Sequence, residues 1–467
     1  MPPISLTLTG IAHGGEAIGH HAGKIVFVPY AIPGETVQAE LVEEKPRWAR
    51  ARLLRVLKPS ADRVLPPCPY FGPGQCNGCQ WQHIGYARQL ALKAEIVADQ
   101  LRRLAGIEDP PLLEPIALAD DEGLLAFRYR NHVQFTCDAQ SRVGFVREDV
   151  AQKAARNELR AQGVRAPAQP ADDVIAVDEC LLLHPLLDEM HAALLAGIVE
   201  GDENDDPAET DDDQPAAERP AIIRRITLRA GLYTGDRLLA FETAGDRAPA
   251  FLLEELPVRC VVRRRDGSLH PLIGEPWIEE QAAGRTFRIT ANSFFHANTV
   301  GAEVLAALAA DMLAPQGHET LLDAYCGVGL FGLSLATQVG QVIGIEESPA
   351  ACDDFAWNAR DLDNVTLHEG PVAEVLATLP APDAADAAGL RFHLALLDPP
   401  RNGAGAEVIA ELARLAVPRL LYIACDPATL ARDARLLLQA GYRLQQVQPV
   451  DLFPQTYQIE SMALFVR

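Results

Sequence analysis

The sequence predicts an α/β protein with a carboxyl-terminal, Rossmann-like doubly wound sheet of seven strands, an amino-terminal OB-like β-barrel and a central α+β segment. Three observations predict it. From Glu319 onward seven apolar runs recur: Thr320–Tyr325, Gln341–Ile345, Val365–Leu367, Phe392–Leu397, Leu420–Ala424, Leu444–Val450 and Met462–Val466. Helical segments separate the first five, and only a loop joins the last two, as suits an antiparallel pair at a sheet edge. Between about Ile4 and Val56, in contrast, apolar and polar positions alternate, broken by turns at Gly14-Gly15, Gly19, Gly23 and Pro33-Gly34. Five or so short strands within 60 residues suit a small closed barrel.

At 467 residues the chain has room for two to four domains. The pattern divides it into a barrel at 1–60, a central domain at 61–285 and the doubly wound domain at 286–467. In the barrel, Lys24–Val28 and Glu35–Val42 read as strands. Tyr86–Leu104 has helical periodicity, with Leu90, Ala94, Val97 and Leu101 on one face, and is placed to pack on the last domain. Strands return over Arg128–Val146 and resume at Ala221–Arg229 and Cys260–Arg263. Between them lies an insertion at about 199–219, of which Glu200–Glu218 carries ten acidic side chains, no basic one and little to bury, and it reads as solvated and disordered.

The net charge of −23 argues against a polyanionic partner only as a global figure, since the insertion supplies much of it. Basic residues gather locally at Lys45, Arg47, Arg50, Arg52, Arg55 and Lys58, at Arg224, Arg225 and Arg229, and at Arg263–Arg265. Local field decides whether a polyanion can dock. With no bilayer-length apolar run and no signal-like start at Met1-Pro-Pro-Ile-Ser-Leu, the expected location is the cytoplasm. Nine unevenly clustered cysteines then point to thiolate chemistry or metal ligation rather than disulfides.

Chemistry-bearing residues collect where the predicted strands end, the ligand edge of an open α/β sheet. Asp323-Ala-Tyr325-Cys326-Gly327-Val328-Gly329 follows the first strand of the sheet, and its glycines allow the backbone close to a ligand. Counting Gly332 would complete a dinucleotide fingerprint, but the strand order favours an adenosyl ligand. The second strand ends at Glu346, where an acidic side chain can take two ribose hydroxyls. The fourth ends in Asp398-Pro-Pro-Arg401, which alone would suggest methylation of an exocyclic amine. The fifth ends in Cys425, and Glu460 precedes the seventh.

Cys425 changes the reading of Asp398. Carbon 5 of a uracil is too poor a nucleophile to attack a methyl sulfonium, but adding a thiolate to carbon 6 makes an enolate whose carbon 5 can attack. A base must then remove the carbon-5 proton so that the thiolate can leave, and Glu460 is placed to do so. A second constellation, Cys68, Cys76 and Cys79 with the distant Cys180, suits either tetrahedral zinc or a 4Fe–4S cluster. His83 is close enough in sequence to complete a Cys₃His zinc site. Cys137, Cys260 and Cys352 read as core thiols, and Cys326 as acting through its backbone.

The set Ser293-Phe-Phe-His296-Ala-Asn298, Asp323–Gly329, Asp398–Arg401, Cys425-Asp-Pro and Glu460 resembles the RNA (uracil-5-)methyltransferases. It looks most like the branch with a TRAM barrel and an iron–sulfur domain that methylates 23S ribosomal RNA, over nearly the whole chain. The resemblance implies a class I methyltransferase domain, Cys425 as nucleophile and Glu460 as proton-abstracting base. It implies S-adenosyl-L-methionine contacts at His296, Tyr325, Gly327, Gly329, Glu346 and Asp398, and a 4Fe–4S cluster on Cys68, Cys76, Cys79 and Cys180. The chain departs from the family at His296 (usually Gln), at Ala424-Cys425-Asp426-Pro427 (commonly Ser-Cys-Asn-Pro), at Gln458 (often His) and at Gly370, where a side-chain ligand sometimes stands. The implied partner is RNA, engaged through one flipped-out uridine, with no membrane and no obligate protein partner, by a monomer. Phe294, Phe295 and Phe453 are candidates to stack in the place of the flipped base. Uridine 54 of tRNA is the alternative target, and a non-catalytic iron–sulfur RNA-binding protein the alternative class.

Overall fold

The computed structural model describes residues 2–121, 123–138, 142–147, 174–202, 223–243, 245, 248–249, 256–381 and 391–467. The acidic insertion lies outside the described residues from 203 onward, and its start continues the helix Pro185–Asp202.

The alternating amino-terminal segment closes into the expected five-stranded barrel. Strands β1 (Ile4–Ile11), β2 (Ala17–His21), β3 (Lys24–Val28), β4 (Thr36–Glu44) and β5 (Trp48–Lys58) run in the order β1-β2-β3-β5-β4. Leu6, Leu8, Val26, Val28, Val37 and Ala49 fill it, because a period of two sends every second side chain inward. The arginines of β5 largely face acids on β4 instead of lying free. Arg52 sits opposite Glu40 at 2.5 Å, and Arg50 reaches Glu16 at 3.0 Å and Glu43 at 3.3 Å. Much of the basic cluster read at Lys45–Lys58 is therefore a cross-strand charge ladder.

A small hairpin, β6 (Ala119–Asp120) and β7 (Gly123–Leu124), precedes the central sheet. That sheet contains β8 (His132–Cys137), β9 (Val143–Val146), β10 (Val174–Ala176), β11 (Ile223–Ala230), β12 (Arg237–Thr243), β13 (Arg259–Arg263) and β14 (Leu269–Ile273), in the order β10-β9-β8-β11-β12-β13-β14. The helix Pro185–Asp202 covers it through Leu187, Met190 and Leu194. A hairpin, β15 (Trp277–Ala282) and β16 (Arg285–Thr290), follows. Its Ile278, Phe287 and Ile289 share a core with Leu321 and Leu396 of the next sheet, so position 286 falls inside an element rather than between two.

The last sheet holds β17 (Thr320–Ala324), β18 (Gln341–Glu346), β19 (Val365–Glu369), β20 (Leu394–Leu397), β21 (Arg419–Ala424), β22 (Arg443–Val450) and β23 (Glu460–Val466). Its order is β19-β18-β17-β20-β21-β23-β22, parallel except for β23, which runs antiparallel to both neighbours. Strands such as Leu394–Leu397 are buried at every position because helices cover both faces. The order reverses between β17 and β20, and there the carboxyl ends open a crevice.

The helix Tyr86–Gln100 packs on this sheet, joining Leu92, Ile96 and Val97 to the core of Ile343 and Ala463. Its buried face differs from the one the leucine spacing predicts: Gln89, Lys93 and Gln100 are buried, whereas Leu90 and Ala94 are only partly so. Polar residues can line that face because they find partners. Lys93 Nζ meets Asp451 Oδ1 at 2.6 Å, and Gln89 binds Gln455 in both directions. With the two charged side chains 2% and 1% exposed, removing one strands the other. Lys93→Ala is expected to destabilise the protein by about 3–5 kcal/mol, seen as a lowered urea midpoint, with a smaller loss for Lys93→Met combined with Asp451→Leu.

Candidate active site

Asp323 lies near the end of β17 with its side chain fully buried, and its Oδ2 accepts the Gly332 N–H at 2.8 Å. A Cβ at Gly332 would lie 2.5 Å from that oxygen. The third glycine of the apparent dinucleotide fingerprint thus serves this packing contact. Burial pushes Asp323 up to about 7 against the Gly332 hydrogen bond, with Asp398 and Glu346 adding repulsion. The turn that follows is tight: Tyr325 has φ 64°, Gly327 55° and Gly329 98°. Glu346, at the end of β18, holds this turn by accepting the N–H groups of Gly327 (2.9 Å), Glu347 (3.0 Å) and Ser348 (2.8 Å). Cys326 is buried there and donates its own N–H to Ile345 O at 3.0 Å.

His296 reaches the same edge from the loop before the helix Thr299–Leu313, its Nε2 3.5 Å from the Asp398 carboxylate. Its backbone is pinned from the central domain: Asn131 Nδ2 donates to His296 O at 3.0 Å and to Thr299 Oγ1 at 2.8 Å. Thr299 donates in turn to the buried Glu280 at 2.7 Å, and Ser293 Oγ donates to Asp354 at 2.6 Å. Phe294 is 67% exposed beside the His296 ring, whereas Phe295 is buried in the core.

The sheet register brings the remaining candidates together. Asp398 follows β20 and Cys425 follows β21, neighbouring parallel strands paired at Leu397 and Tyr422. Strand β23 starts at Glu460 and pairs Ser461 with Ala424, so Glu460 lies beside Cys425. Glu460 is 3% exposed and its Oε1 has no hydrogen-bond partner. Burial first, and Asp398 second, push its carboxyl well above the usual range, with Arg401 opposing. Burial likewise pushes the Cys425 thiol up to about 12, reinforced by Glu460 and Asp398 and opposed by Arg401.

A shallow groove beside Cys425 is lined by Pro399, Pro400, Arg401, Tyr422, Asp426 and Thr429. Asp433 fixes its wall, accepting the Tyr422 hydroxyl at 2.6 Å and the Ala404 N–H at 2.9 Å. Asp426 caps the helix Pro427–Gln439 by accepting the Thr429 N–H at 2.8 Å. Sequence alone does not single out Asn131, Glu280, Asp354 or Asp433. Their only signal is a polar residue set among apolar neighbours, which does not reveal its partner.

Cys68, Cys76, Cys79 and Cys180 line a single cavity of about 50 Å³, together with Arg130 and Gln82. No group of three or more His, Cys, Asp or Glu side chains among the described residues is arranged to hold a single metal ion. His83 is not in the lining. It is buried and stacks on Phe71 at 5.7 Å, outside the cysteine cavity, which corrects its reading as a fourth zinc ligand. Cys137, Cys260 and Cys352 are buried core thiols. No helix among the described residues is long and apolar enough to cross a membrane.

Comparison with known proteins agrees with this architecture. The family model described as tRNA (Uracil-5-)-methyltransferase matches residues 272–467, and the TRAM domain model matches residues 4–54. An uncharacterized RNA methyltransferase of Streptomyces avermitilis is 32% identical over 97% of this chain and 96% of its own. One of Thermosynechococcus vestitus is 32% identical over 99% and 97%. The fold matches the crystal structure of Pyrococcus abyssi tRNA (uracil-54, C5)-methyltransferase in complex with S-adenosyl-L-homocysteine, with TM-score 0.70, 21% identity and coverage of 99% of this chain and 100% of that one. Barrel, doubly wound sheet and full-length relatives agree: the chain is an enzyme of the RNA (uracil-5-)methyltransferase family, with an amino-terminal TRAM barrel.

Proposed function

We propose that the protein methylates carbon 5 of one uridine in 23S ribosomal RNA, with Cys425 as covalent nucleophile and Glu460 as base. The observation that carries this reading is the register of β21 against β23, which sets a thiol and a buried carboxylate side by side at the edge where Asp398 also ends its strand. In the proposed sequence the Cys425 thiolate bonds to uracil carbon 6, and the electrons move through carbon 5 toward the carbonyl at carbon 4. Carbon 5 then takes the methyl group. Glu460 removes the proton left on carbon 5, and the carbon 6–sulfur bond breaks to return the free thiolate.

S-adenosylmethionine supplies an electrophilic methyl sulfonium when bound. The residues that would hold it are suited to that ligand, with Glu346 for the ribose hydroxyls, the Tyr325–Gly329 turn for close backbone approach, and His296 with Asp398 at the reacting end. Both Cys425 and Glu460 act deprotonated and both are pushed upward, so the reaction gains from rising pH. Below about 12 the thiolate fraction grows about tenfold per pH unit. Covalent trapping of an RNA containing 5-fluorouridine is therefore expected to speed up about tenfold per unit between about pH 7 and pH 9.

The four cysteines are the proposed ligands of a 4Fe–4S cluster. All four line one cavity although Cys180 is distant in the chain, and a set of four thiolates is the usual ligand set of such a cluster. Anaerobic purification is expected to yield brown protein with about four iron atoms per chain; a colourless, zinc-loaded protein would refute the cluster. The proposed units are the barrel at 1–60, an iron–sulfur domain, and a catalytic unit whose start moves from 286 to before Trp277, because the hairpin shares the catalytic core.

The TRAM barrel and cysteine set support a ribosomal target. The tRNA alternative is favoured by the likeness to the Pyrococcus enzyme, whose name specifies uracil 54. The test is methylation of 23S ribosomal RNA and of unmodified tRNA with labelled S-adenosylmethionine, followed by nucleoside analysis. Labelled 5-methyluridine from ribosomal RNA is expected, and label confined to tRNA would replace the proposed substrate. The protein is expected to act in the cytoplasm as a monomer, and sedimentation of the free protein checks the latter.

A further inference from the structure

The barrel does more than sit beside the catalytic domain. Its β1–β2 turn, closed by Gly15 N–H to Ala12 O at 2.9 Å and Ala12 N–H to Glu16 O at 2.8 Å, is seated between two catalytic loops. On one side His13 Nε2 lies 3.2 Å from Asp426 Oδ2, immediately after Cys425. On the other, Gly15 packs against the loop that leads into Glu460. A Cβ at Gly15 would fall 2.5 Å from Tyr457 Cβ and 2.8 Å from Trp81 Nε1. The indole of Trp81 is fully buried and donates to Gly15 O at 3.1 Å, and the Trp81 backbone N–H donates to Gln455 O at 2.9 Å. One barrel turn therefore touches both the strand end bearing the thiol and the loop preceding the carboxylate.

We infer that this turn is part of the catalytic centre, with His13 a positioning residue that acts through Asp426 to hold the Cys425 loop. The chemistry gives the contact a purpose. Asp426 is an anion beside a site that must form a thiolate, and its charge opposes that step, so the place where its carboxylate is held bears on the reaction. The Thr429 N–H takes one carboxylate oxygen and His13 the other, which fixes the carboxylate in one place at the groove that Cys425 also lines. The pair is part-exposed at the rim, with side-chain exposures of 37% and 29%, so its effect on folding is small and its effect on geometry can be measured separately.

The inference rests on Cys425 being the nucleophile, and the test separates the two. The full-length protein is mixed with saturating 5-fluorouridine RNA and S-adenosylmethionine, and the rate of covalent trapping and the RNA affinity are both measured. His13→Ala is expected to slow trapping about tenfold, the loss of one hydrogen bond to a charged group, with RNA affinity within about twofold. His13→Gln, whose amide can donate to Asp426, is expected to recover most of the rate. In an Asp426→Asn background His13→Ala is expected to add no further loss. Gly15→Ala, which cannot keep its seat against Tyr457, is expected to slow trapping too, with barrel folding followed by circular dichroism. Wild-type trapping in His13→Ala or in folded Gly15→Ala, a loss confined to RNA affinity, or the same His13→Ala loss in the Asp426→Asn background would overturn the inference while leaving the nucleophile intact. Failure of the wild-type protein to trap RNA at all would remove the nucleophile and this inference together.

Discussion

Glu460→Gln is expected to stop the reaction after methyl transfer, so that protein joined to methylated RNA accumulates with ordinary uridine and no fluorine is needed. Glutamine has nearly the same shape but cannot take the carbon-5 proton, and until that proton leaves the carbon 6–sulfur bond has no electron pair to expel it. Turnover should fall about a thousandfold, within the range for removing a general base, while the first covalent step persists. The environment fits this role. Glu460 is buried, one of its oxygens has no hydrogen-bond partner, and Asp398 adds repulsion, all of which strengthen it as a base once ionised. Denaturing gels of the Glu460→Gln protein with labelled RNA would show a slow-migrating band, and its absence would send the proton to another group.

Cys425→Ala is expected to lower turnover by about 10⁴–10⁶-fold, the scale of losing a covalent nucleophile. Folding should be unaffected, because the side chain lines an open groove. The elevated thiol pKa does not argue against the assignment, since a thiol held protonated in the free enzyme limits unproductive oxidation and alkylation. Arg401 is the cation that opposes the shift. RNA binding by the Cys425→Ala protein within about twofold of wild type would separate loss of chemistry from loss of affinity.

Much of this site was legible because a doubly wound sheet puts strand ends in one place. Once the seven apolar runs are recognised, Asp323, Glu346, Asp398 and Cys425 must converge, whatever surrounds them. Glu460 required one more step, that the last two strands form a hairpin whose antiparallel member returns its first residue to the same edge. The barrel was legible for a similar reason, its period of two. Long-range polar pairing was not. The helix Tyr86–Gln100 buries Lys93 and Gln89 because their partners, Asp451 and Gln455, lie more than 350 residues away, and no local pattern announces them. The arginines of β5 looked like an open basic face until their register against Glu40 and Glu43 was known. His13 stood in a glycine-rich turn with nothing nearby to mark it, and only the docking of barrel on sheet brings it to Asp426. His83 misled in the opposite way, close to Cys79 in sequence but stacked on Phe71 outside the cysteine cavity.

The most direct test of the central claim is the intact mass, and then the peptide map, of the protein incubated with 5-fluorouridine RNA and S-adenosylmethionine. Covalent catalysis by Cys425 predicts a species equal to protein plus RNA plus one methyl group, with the nucleotide attached to the peptide containing Cys425 and no such species from Cys425→Ala. A methylated RNA product with no covalent species, or an adduct that persists in Cys425→Ala, would contradict it.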